Sequence, residues 1–170
     1  MMAKHSTVNV FVFKVALRYE PDIWRRIAIK GNQTLEDLHF AIFDAFNRDE
    51  EHLYSFYLPK PGNRSRFVEQ NSTEYAHPMA VDEGFGDQKV YDASDTLIEE
   101  LELSLRKKFY YLFDFGDSWW HTLDVEQIRG EVEKGKKYPL VIEEHGKAPP
   151  QYEWDDEEGD EDDEEDEDEE

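Results

Sequence analysis

The sequence predicts an α+β fold: a largely antiparallel, aromatic-cored sheet, one main helix packed on it, and a disordered acidic tail at the C terminus. Three observations lead to this prediction. Several segments alternate apolar and polar residues, one segment repeats apolar residues at helical spacing, and acidic residues concentrate at the C-terminal end. Phe, Trp and Tyr make up 14% of the chain, which predicts a core rich in aromatic side chains.

The first two strands are predicted from alternation. In residues 8–19 (VNVFVFKVALRY), Phe11 and Phe13 fall on one face and Lys14 on the other. Period-two alternation of β-branched and aromatic residues is typical of a strand. A Pro-Asp pair interrupts the pattern and residues 24–30 alternate again, which predicts a hairpin.

Residues 34–47 (TLEDLHFAIFDAFN) predict the main helix. Thr34 is a favourable N-cap, and two acidic residues occupy the first turn, where the helix dipole favours them. Leu38 and Ile42 belong to an apolar stripe at helical spacing, and His39 lies on the same face. We expect this face to pack on the sheet.

Residues 52–58 predict another strand, after which the chain changes character. Residues 59–92 combine turn-forming residues with little periodicity, so they form either a functional flap or a string of short strands. Residues 94–101 predict a short capped helix, and residues 136–144 predict the last strand.

A second hairpin is predicted near the end of the body. Residues 108–115 and 119–126 alternate on either side of a Gly-Asp-Ser turn. In the second arm Trp119 and His121 share a face, and Trp119 is expected in the core. Trp120 points to the opposite face and is expected to be partly exposed.

The C-terminal tail has an extreme composition. Residues 153–170 hold 16 of the 42 acidic residues and no Lys or Arg. Such a segment cannot bury enough apolar surface to offset its ordering entropy, so we expect it to be disordered. We therefore divide the chain into a single α+β domain, residues 1–150, and a disordered acidic tail, residues 151–170.

Composition also indicates the compartment. The chain has no cysteine, which excludes disulfides, thiolate metal sites and thiol nucleophiles, and fits a reducing environment. No apolar run approaches the roughly 20 residues of a membrane span, and the first residues do not have the pattern of a signal peptide. These features predict a cytoplasmic protein that does not interact with membranes.

Standard enzyme signatures are missing. Asp114-Phe115-Gly116 spells the magnesium-binding motif of protein kinases, but the accompanying catalytic-loop and Gly-rich-loop motifs are absent. There is no G-x-S-x-G, no H-E-x-x-H and no phosphate-binding loop. The sequence therefore leaves open whether the protein is an enzyme.

Four segments together resemble a known family. The strand FVFKVALRYEPDIWRRIAI, the helix TLEDLHFAIFDAF, the segment HLYSFYL and the pair FYYLFDFGDSWWHTLDVE are similar to the plasmid pRiA open-reading-frame-three-like family. The resemblance covers about residues 8–150, and its most specific part is the string from Asp114 to His121. It implies a mobile-element passenger protein of unknown function, found mostly in bacteria and archaea. Relatives typically follow the Pro-Pro pair with a cysteine-containing segment, which this chain lacks.

The resemblance also implies a candidate polar cluster. Its members are histidine, aspartate and tryptophan residues on the family's pattern: His39, His52, Asp114, Asp117, Trp119 and His121. Two interpretations remain open. In the first, the cluster is structural, with Asp117 bonding backbone in its turn and Asp114 accepting a hydrogen bond, and no metal or cofactor is expected. In the second, His39, Asp114 and His121 bind a divalent metal, since imidazole and carboxylate are suitable ligands.

The segment PKPGNRSRF is the one concentrated basic region. Lys60, Arg64 and Arg66 lie beside Phe67 and are candidate nucleic-acid contacts. The residues before the tail carry 26 acidic against 19 basic side chains, so direct nucleic-acid binding is only weakly supported by charge.

These observations favour one function over another. The expected function is a non-enzymatic binding or accessory module associated with mobile-element or nucleic-acid biology, with a basic protein as a candidate partner for the acidic tail. The alternative is a metal-dependent hydrolase or nuclease centred on the hairpin at residues 113–121.

Overall fold

A computed structural model describes residues 8–62, 67–83 and 89–151. Two of the three nucleic-acid candidates, Arg64 and Arg66, and the predicted acidic tail from residue 152 onward lie outside these residues. No helix in the described ranges is long and apolar enough to span a membrane.

The described chain forms one eight-stranded sheet and one α-helix. The strands are β1 (Val10–Leu17), β2 (Glu20–Lys30), β3 (Tyr54–Pro59), β4 (Ser72–Ala76), β5 (Val90–Asp92), β6 (Lys108–Phe113), β7 (Trp119–Arg129) and β8 (Leu140–His145), and helix α1 spans Leu35–Ala45. The strand order is β5-β4-β3-β6-β7-β1-β2-β8.

The sheet is mixed, although most of its pairs are antiparallel. The two predicted hairpins, β1–β2 and β6–β7, both form, and β1 pairs antiparallel with β7 to join them at the centre of the sheet. The parallel pair is β4 with β5, at one edge. The fold is therefore an α+β sheet with one helix, as the alternation predicts, but it is not purely antiparallel.

Helix α1 begins with a capping box. The Thr34 hydroxyl accepts a hydrogen bond from the Asp37 amide (3.1 Å), and the Asp37 carboxylate accepts one from the Thr34 amide (3.0 Å). These reciprocal bonds satisfy two donors that a helix start otherwise leaves unpaired. Leu38 and Ile42 are fully buried against the sheet, as their spacing predicts.

The core is aromatic. Phe13 from β1 packs edge-on against Phe109 from β6 with ring centroids 5.4 Å apart, and Phe56 from β3 lies 4.7 Å from Tyr111. Aromatic pairs at these separations add to the free energy gained from burying the rings. Together with the stripe of α1, these rings form one buried cluster on one face of the sheet, which we call the core face.

The segment without clear periodicity contains short elements. Strands β4 and β5 and a 3-10 helix (Pro78–Glu83) lie between residues 59 and 92. Of the two interpretations, the string of short strands therefore matches the described part of this segment. The helix predicted at residues 94–101 is instead two 3-10 turns, Ala93–Asp95 and Ile98–Leu101, since Thr96 and Leu97 adopt extended backbone between them.

The opposite face of the sheet is less covered, and we call it the open face. Lys14, Tyr110 and Trp120 lie on it and are each partly exposed. Two small groups of side chains cover its ends: Val68 packs on Tyr57 near one end, and Tyr138 packs on β1 and β2 at the other. Helix α1 contacts the core face, so a stretch of the open face between these groups is accessible in the part of the molecule described here.

Candidate functional site

Asp114 holds the turn of the β6–β7 hairpin. Its backbone is left-handed (φ 67°), and its carboxylate accepts hydrogen bonds from the amides of Gly116 (3.1 Å) and Asp117 (3.2 Å). The Ser118 amide donates to the Asp114 carbonyl at 2.6 Å. Asp and Asn tolerate this backbone conformation because their short side chains can bond locally. Asp114, rather than the exposed Asp117, therefore closes this turn.

His52 is the predicted histidine that contacts Asp114. Its Nε2 lies 3.5 Å from an Asp114 carboxylate oxygen, and its ring packs edge-on against Phe113. His52 precedes β3, and the Leu53 carbonyl accepts a hydrogen bond from the Asp114 amide at 2.9 Å. The start of β3 and the hairpin turn are thereby joined through both backbone and side chains.

His39 from α1 is buried and makes two polar contacts. Its Nδ1 lies 2.6 Å from the Tyr111 hydroxyl and its Nε2 lies 3.1 Å from a Glu51 carboxylate oxygen, while its ring stacks on Tyr54 at 3.9 Å. Because a carboxylate accepts and the phenol retains its proton, Nε2–H donates to Glu51 and the Tyr111 hydroxyl donates to Nδ1. Both contacts are those of a neutral imidazole.

Burial keeps that imidazole neutral. Desolvation lowers the pKa of His39 to about 3, and the nearby charges of His77 and Arg48 act in the same direction. Desolvation also raises the pKa of the Tyr111 phenol well above its usual value. The contact with Glu51 is therefore a hydrogen bond from a neutral donor rather than a salt bridge.

His121 from β7 faces a buried arginine. The Arg48 guanidinium lies 3.1 Å from His121 Nε2, and His121 Nδ1 lies 3.3 Å from the Tyr111 carbonyl. A guanidinium only donates, so Nε2 accepts and Nδ1–H points to the carbonyl. Burial, and then the charge of Arg48, hold the pKa of His121 well below its ordinary value.

Arg48 lies among aromatic rings just after α1. Its guanidinium carbon is 4.9 Å from the Trp119 ring centroid, 5.2 Å from that of Phe113 and 5.4 Å from that of Phe46. Desolvation lowers the pKa of Arg48 to about 10, partly offset by Tyr111 and Asp114, so it remains charged near neutral pH. We call Arg48 with its neighbours His121 and Trp119 the arginine cluster.

The structure brings the predicted residues together in two groups. Tyr111 contacts His39 through its hydroxyl and His121 through its carbonyl, while Asp114 contacts His52. Asp117 is exposed at the turn. No group of three or more potential metal-ligating side chains is present within the described ranges. Since His39, Asp114 and His121 are each bonded to other protein groups, this geometry does not favour the metal-dependent alternative.

Sequence reasoning did not identify three residues that organise this region. Arg48 and Glu51 lie in the highly charged segment NRDEEH, which reads as a solvated loop. Gln151 accepts hydrogen bonds from the amides of Asp49 (2.8 Å) and Glu50 (3.2 Å) and is buried there. The described chain thus packs on its body through Gln151, one residue beyond the predicted domain boundary.

The open face carries a second group of candidate residues. The Arg18 guanidinium lies 5.3 Å from the Tyr110 ring centroid and 5.6 Å from that of Trp120, and Tyr57 packs on Trp120 at 5.6 Å. We call these four side chains the open-face patch. Val68 packs beside Tyr57, and Lys60, the described member of the basic loop, is exposed at the other end of that loop.

Charges on the open face differ between its two ends. Away from the patch, Arg26 pairs with Glu126 (2.6 Å) and with Glu143, and Lys108 pairs with Asp124 at 2.9 Å. In the described residues, by contrast, Arg18 contacts aromatic rings and takes part in no ion pair. At the patch end the guanidinium of Arg18 thus lies on aromatic rings, while the Tyr57 hydroxyl donates to the Glu74 carboxylate at 3.3 Å.

A mixed sheet with one packed helix and a buried histidine–arginine–aromatic network define a small α+β protein, in which the described residues contain no group of metal ligands. The chain belongs to the plasmid pRiA4b ORF-3-like protein family, whose model matches residues 9–157. This is the family that the hairpin motif resembles.

One protein sequence and one solved structure are similar to most of this chain. The chain is 28% identical over 144 residues to the uncharacterized protein y4hQ of Sinorhizobium fredii, a match covering 84% of this chain and 66% of that protein. It is also similar to the crystal structure of a protein of unknown function, MM3350, from Methanosarcina mazei Go1, with a TM-score of 0.68 and 25% identity. That match covers 93% of this chain and 83% of the other. The family and these relatives are uncharacterised.

Proposed function

We propose that the protein is a non-enzymatic binding module that takes up single-stranded nucleic acid on the open face of its sheet. The observation that supports this proposal is the open-face patch, in which Tyr110, Trp120 and Arg18 present aromatic and cationic surface together. Bases stack on aromatic rings, and an arginine beside them contacts the phosphate backbone or stacks in turn. A plasmid reading frame gives the family its description, which supports an accessory role in mobile-element biology.

The position of the basic loop supports the same proposal. The loop that contains Lys60, Arg64 and Arg66 follows β3, and Val68 at its end packs against Tyr57 of the patch. Val68 therefore places the described end of this loop beside the surface on which bases would stack. Single strands suit such a site, because a duplex buries the ring faces of its bases within its own stack.

Binding is expected to be modest and sensitive to salt. The residues before the tail are net acidic, and the far end of the open face is neutralised by its own ion pairs. Long-range attraction is therefore weak, and local stacking must supply most of the affinity. Raising the salt concentration weakens the phosphate contacts that remain.

The test uses labelled 15-nucleotide single strands of DNA and RNA, with a duplex for comparison, in fluorescence anisotropy titrations at low salt. Stacking on an aromatic side chain contributes about 1–3 kcal/mol per base, so Trp120→Leu should raise the Kd about tenfold or more. Arg18→Gln should raise it less. Circular dichroism and melting temperature establish that each variant is folded.

Two control variants keep this experiment specific. Tyr91→Leu removes another exposed aromatic ring, one that stacks on Tyr75 at the β5 edge, and Lys134→Gln removes an exposed cation in the loop after β7. Neither should change the Kd by more than twofold. No binding of the wild-type chain, or equal losses in the controls, would contradict the proposal, and cleavage of the oligonucleotide with added Mg²⁺ or Mn²⁺ would support the hydrolase alternative.

A further inference from the structure

The arginine cluster contains a buried charge that no carboxylate of the described residues contacts, although the charge of Asp114 acts on it from a longer distance. Arg48 is 6% exposed, and in the described ranges it forms no ion pair with Asp or Glu. Its hydrogen bond goes to His121, whose neutral imidazole provides a lone pair but no negative charge. Aromatic faces attract the guanidinium, yet a buried cation is ordinarily also paired with an anion.

The same cluster contains two unpaired donors. Arg48 Nη1 and Trp119 Nε1 are buried and have no hydrogen-bond partner among the described residues. Most buried polar groups in proteins have such a partner, so each unpaired group requires an explanation. The two groups belong to side chains in direct contact, since the Arg48 guanidinium carbon lies 4.9 Å from the centroid of the Trp119 ring.

The cluster also lies close to the surface. Asp49 and Glu50, which follow Arg48 directly, are exposed, and so are the turn residues Phe115 to Ser118 that precede Trp119. Trp119 itself is partly exposed. A small group could therefore reach the two donors through a local displacement of the turn or the loop.

We propose that Arg48 and Trp119 form an oxyanion-binding site, which a carboxylate or a phosphate group occupies. Such a group has acceptor oxygens and no donors, which matches two donors beside a positive charge. A metal cation is disfavoured here by the charge of Arg48. This site lies on the core-face side of the hairpin and is independent of the open-face patch.

Two sources could supply this oxyanion. One is a free or ligand-borne phosphate from solution. The other is the chain itself, because Gln151 is fixed to the amides of Asp49 and Glu50, and Glu153 follows two residues later. Two residues of extended chain span about 7 Å, so a carboxylate on that segment is within reach of the loop.

The experiment uses the full chain with inorganic phosphate as the probe, at constant ionic strength with chloride as the reference anion. The readouts are the melting temperature and the indole N–H resonance of Trp119 in ¹H–¹⁵N spectra. Trp119→Phe keeps the ring beneath the guanidinium and removes the donor. The loss of one hydrogen bond should raise the apparent Kd for phosphate roughly three- to tenfold.

Trp24→Phe is the matched control, because it makes the same change at a tryptophan on β2 whose ring also lies against a guanidinium, that of Arg26 at 4.7 Å. It should leave phosphate binding unchanged. Arg48→Lys retains the charge but loses the planar fork, and should weaken binding at least as much as Trp119→Phe. If Arg48→Lys fails to fold, Trp119→Phe still tests the site.

A second arm identifies the source. The full chain carrying E153Q, D155N and D156N loses the nearest tail carboxylates without losing length. If the tail supplies the oxyanion, phosphate will bind this variant but not the wild type, and the Trp119 indole resonance will move. If phosphate comes from solution, both chains will bind it equally. If neither phosphate nor the tail variant changes the resonance or the melting temperature, the site does not bind an oxyanion.

Discussion

Asp114 controls the stability of the hairpin through a single carboxylate. It accepts two amide hydrogen bonds in the turn while holding a left-handed backbone. Asp114→Ala removes the acceptor and leaves a residue that disfavours this conformation, so we expect a loss of about 1–3 kcal/mol in the free energy of unfolding. This loss is measured by urea unfolding, with tryptophan fluorescence as the signal.

Asp114→Asn is the informative companion to this change. Asparagine keeps an acceptor oxygen and tolerates the left-handed backbone, so this variant should lose less than half as much as Asp114→Ala. Asp117→Ala, in the exposed part of the same turn, should stay within about 0.5 kcal/mol of the wild type. Equal losses at Asp114 and Asp117 would show that the carboxylate of Asp114 does not hold the turn.

The buried histidines make stability depend on pH. Folding lowers the pKa of His39 to about 3 and that of His121 well below 6.5, whereas in the unfolded chain both titrate near 6.5. Below pH 6.5 the unfolded chain therefore binds more protons, and stability falls as the pH drops toward 3. Above that pH the contribution is fully present.

His39→Gln should reduce this pH dependence. Between pH 7 and pH 5.5, each neutral buried histidine contributes a slope that approaches about 1.4 kcal/mol per pH unit at the acid end. Unfolding free energies of wild type and variant, measured by urea titration across this window, should converge as the pH falls. Parallel curves would mean that His39 takes up its proton in the folded state.

At the scale of elements, a buried arginine joins the end of the helix to the edge of the sheet. The Arg25 side chain on β2 donates to the carbonyls of Ala45 in α1 (3.0 Å), His145 in β8 (3.0 Å) and its own neighbour Trp24 (2.8 Å). Three carbonyls at fixed directions suit the planar fork of arginine. Helix α1 has no basic residue in its last turn, and the Arg25 guanidinium supplies the positive charge at that end instead.

Arg25→Lys should therefore loosen β8 and the end of α1 together. Lysine presents one ammonium group and cannot reach all three carbonyls, so we expect a loss of about 2–4 kcal/mol and faster amide exchange in both elements. Arg26→Lys is the matched control, because the neighbouring side chain pairs with partly exposed glutamates and should cost at most about 1 kcal/mol. Faster amide exchange in β8 alone would show that Arg25 stabilises the strand but not the end of α1.

The sequence predicts long elements better than short ones. The strands of both hairpins and α1 have enough residues for their periods of 2 and 3.6 to be recognised, and each forms at about its predicted place. Strands β4 and β5 have five and three residues, and their parallel pairing depends on contacts distant in sequence. No local pattern specifies such a pairing.

The candidate site was predictable only in part, for a related reason. Histidines and aspartates stand out within apolar segments, so His39, Asp114 and His121 can be selected from the sequence. Arg48 lies between Asn47 and Asp49, and its burial results from tertiary packing between the loop after α1 and the hairpin. The partners of His39, which are Tyr111 and Glu51, are therefore not evident from its own segment, and neither is Arg48, the partner of His121.

At the scale of the whole molecule, the distribution of charge determines how strongly the chain attracts or repels a polyanion such as nucleic acid. The full chain carries a formal charge of −23, and residues 158–170 alone contain 12 acidic residues. Charges of this density repel nucleic acid and attract cations, and both effects extend about 8–10 Å at physiological salt. Residues 158–170 should therefore oppose nucleic-acid binding at the open face without contributing to the fold.

Deletion of residues 158–170 tests this directly, because it keeps the whole segment matched by the family and the residues that follow Gln151. We expect an unchanged melting temperature, since a solvated polyanion buries nothing. Binding of a single-stranded oligonucleotide should become several-fold tighter at 50 mM salt, and this gain should fade at 300 mM as screening shortens the repulsion.

A full-length chain with these 12 acidic residues changed to Asn and Gln separates charge from length and should behave like the deletion. A gain in affinity that persists at high salt would mean that the tail blocks the site by contact, and a fall in melting temperature would mean that it packs on the body.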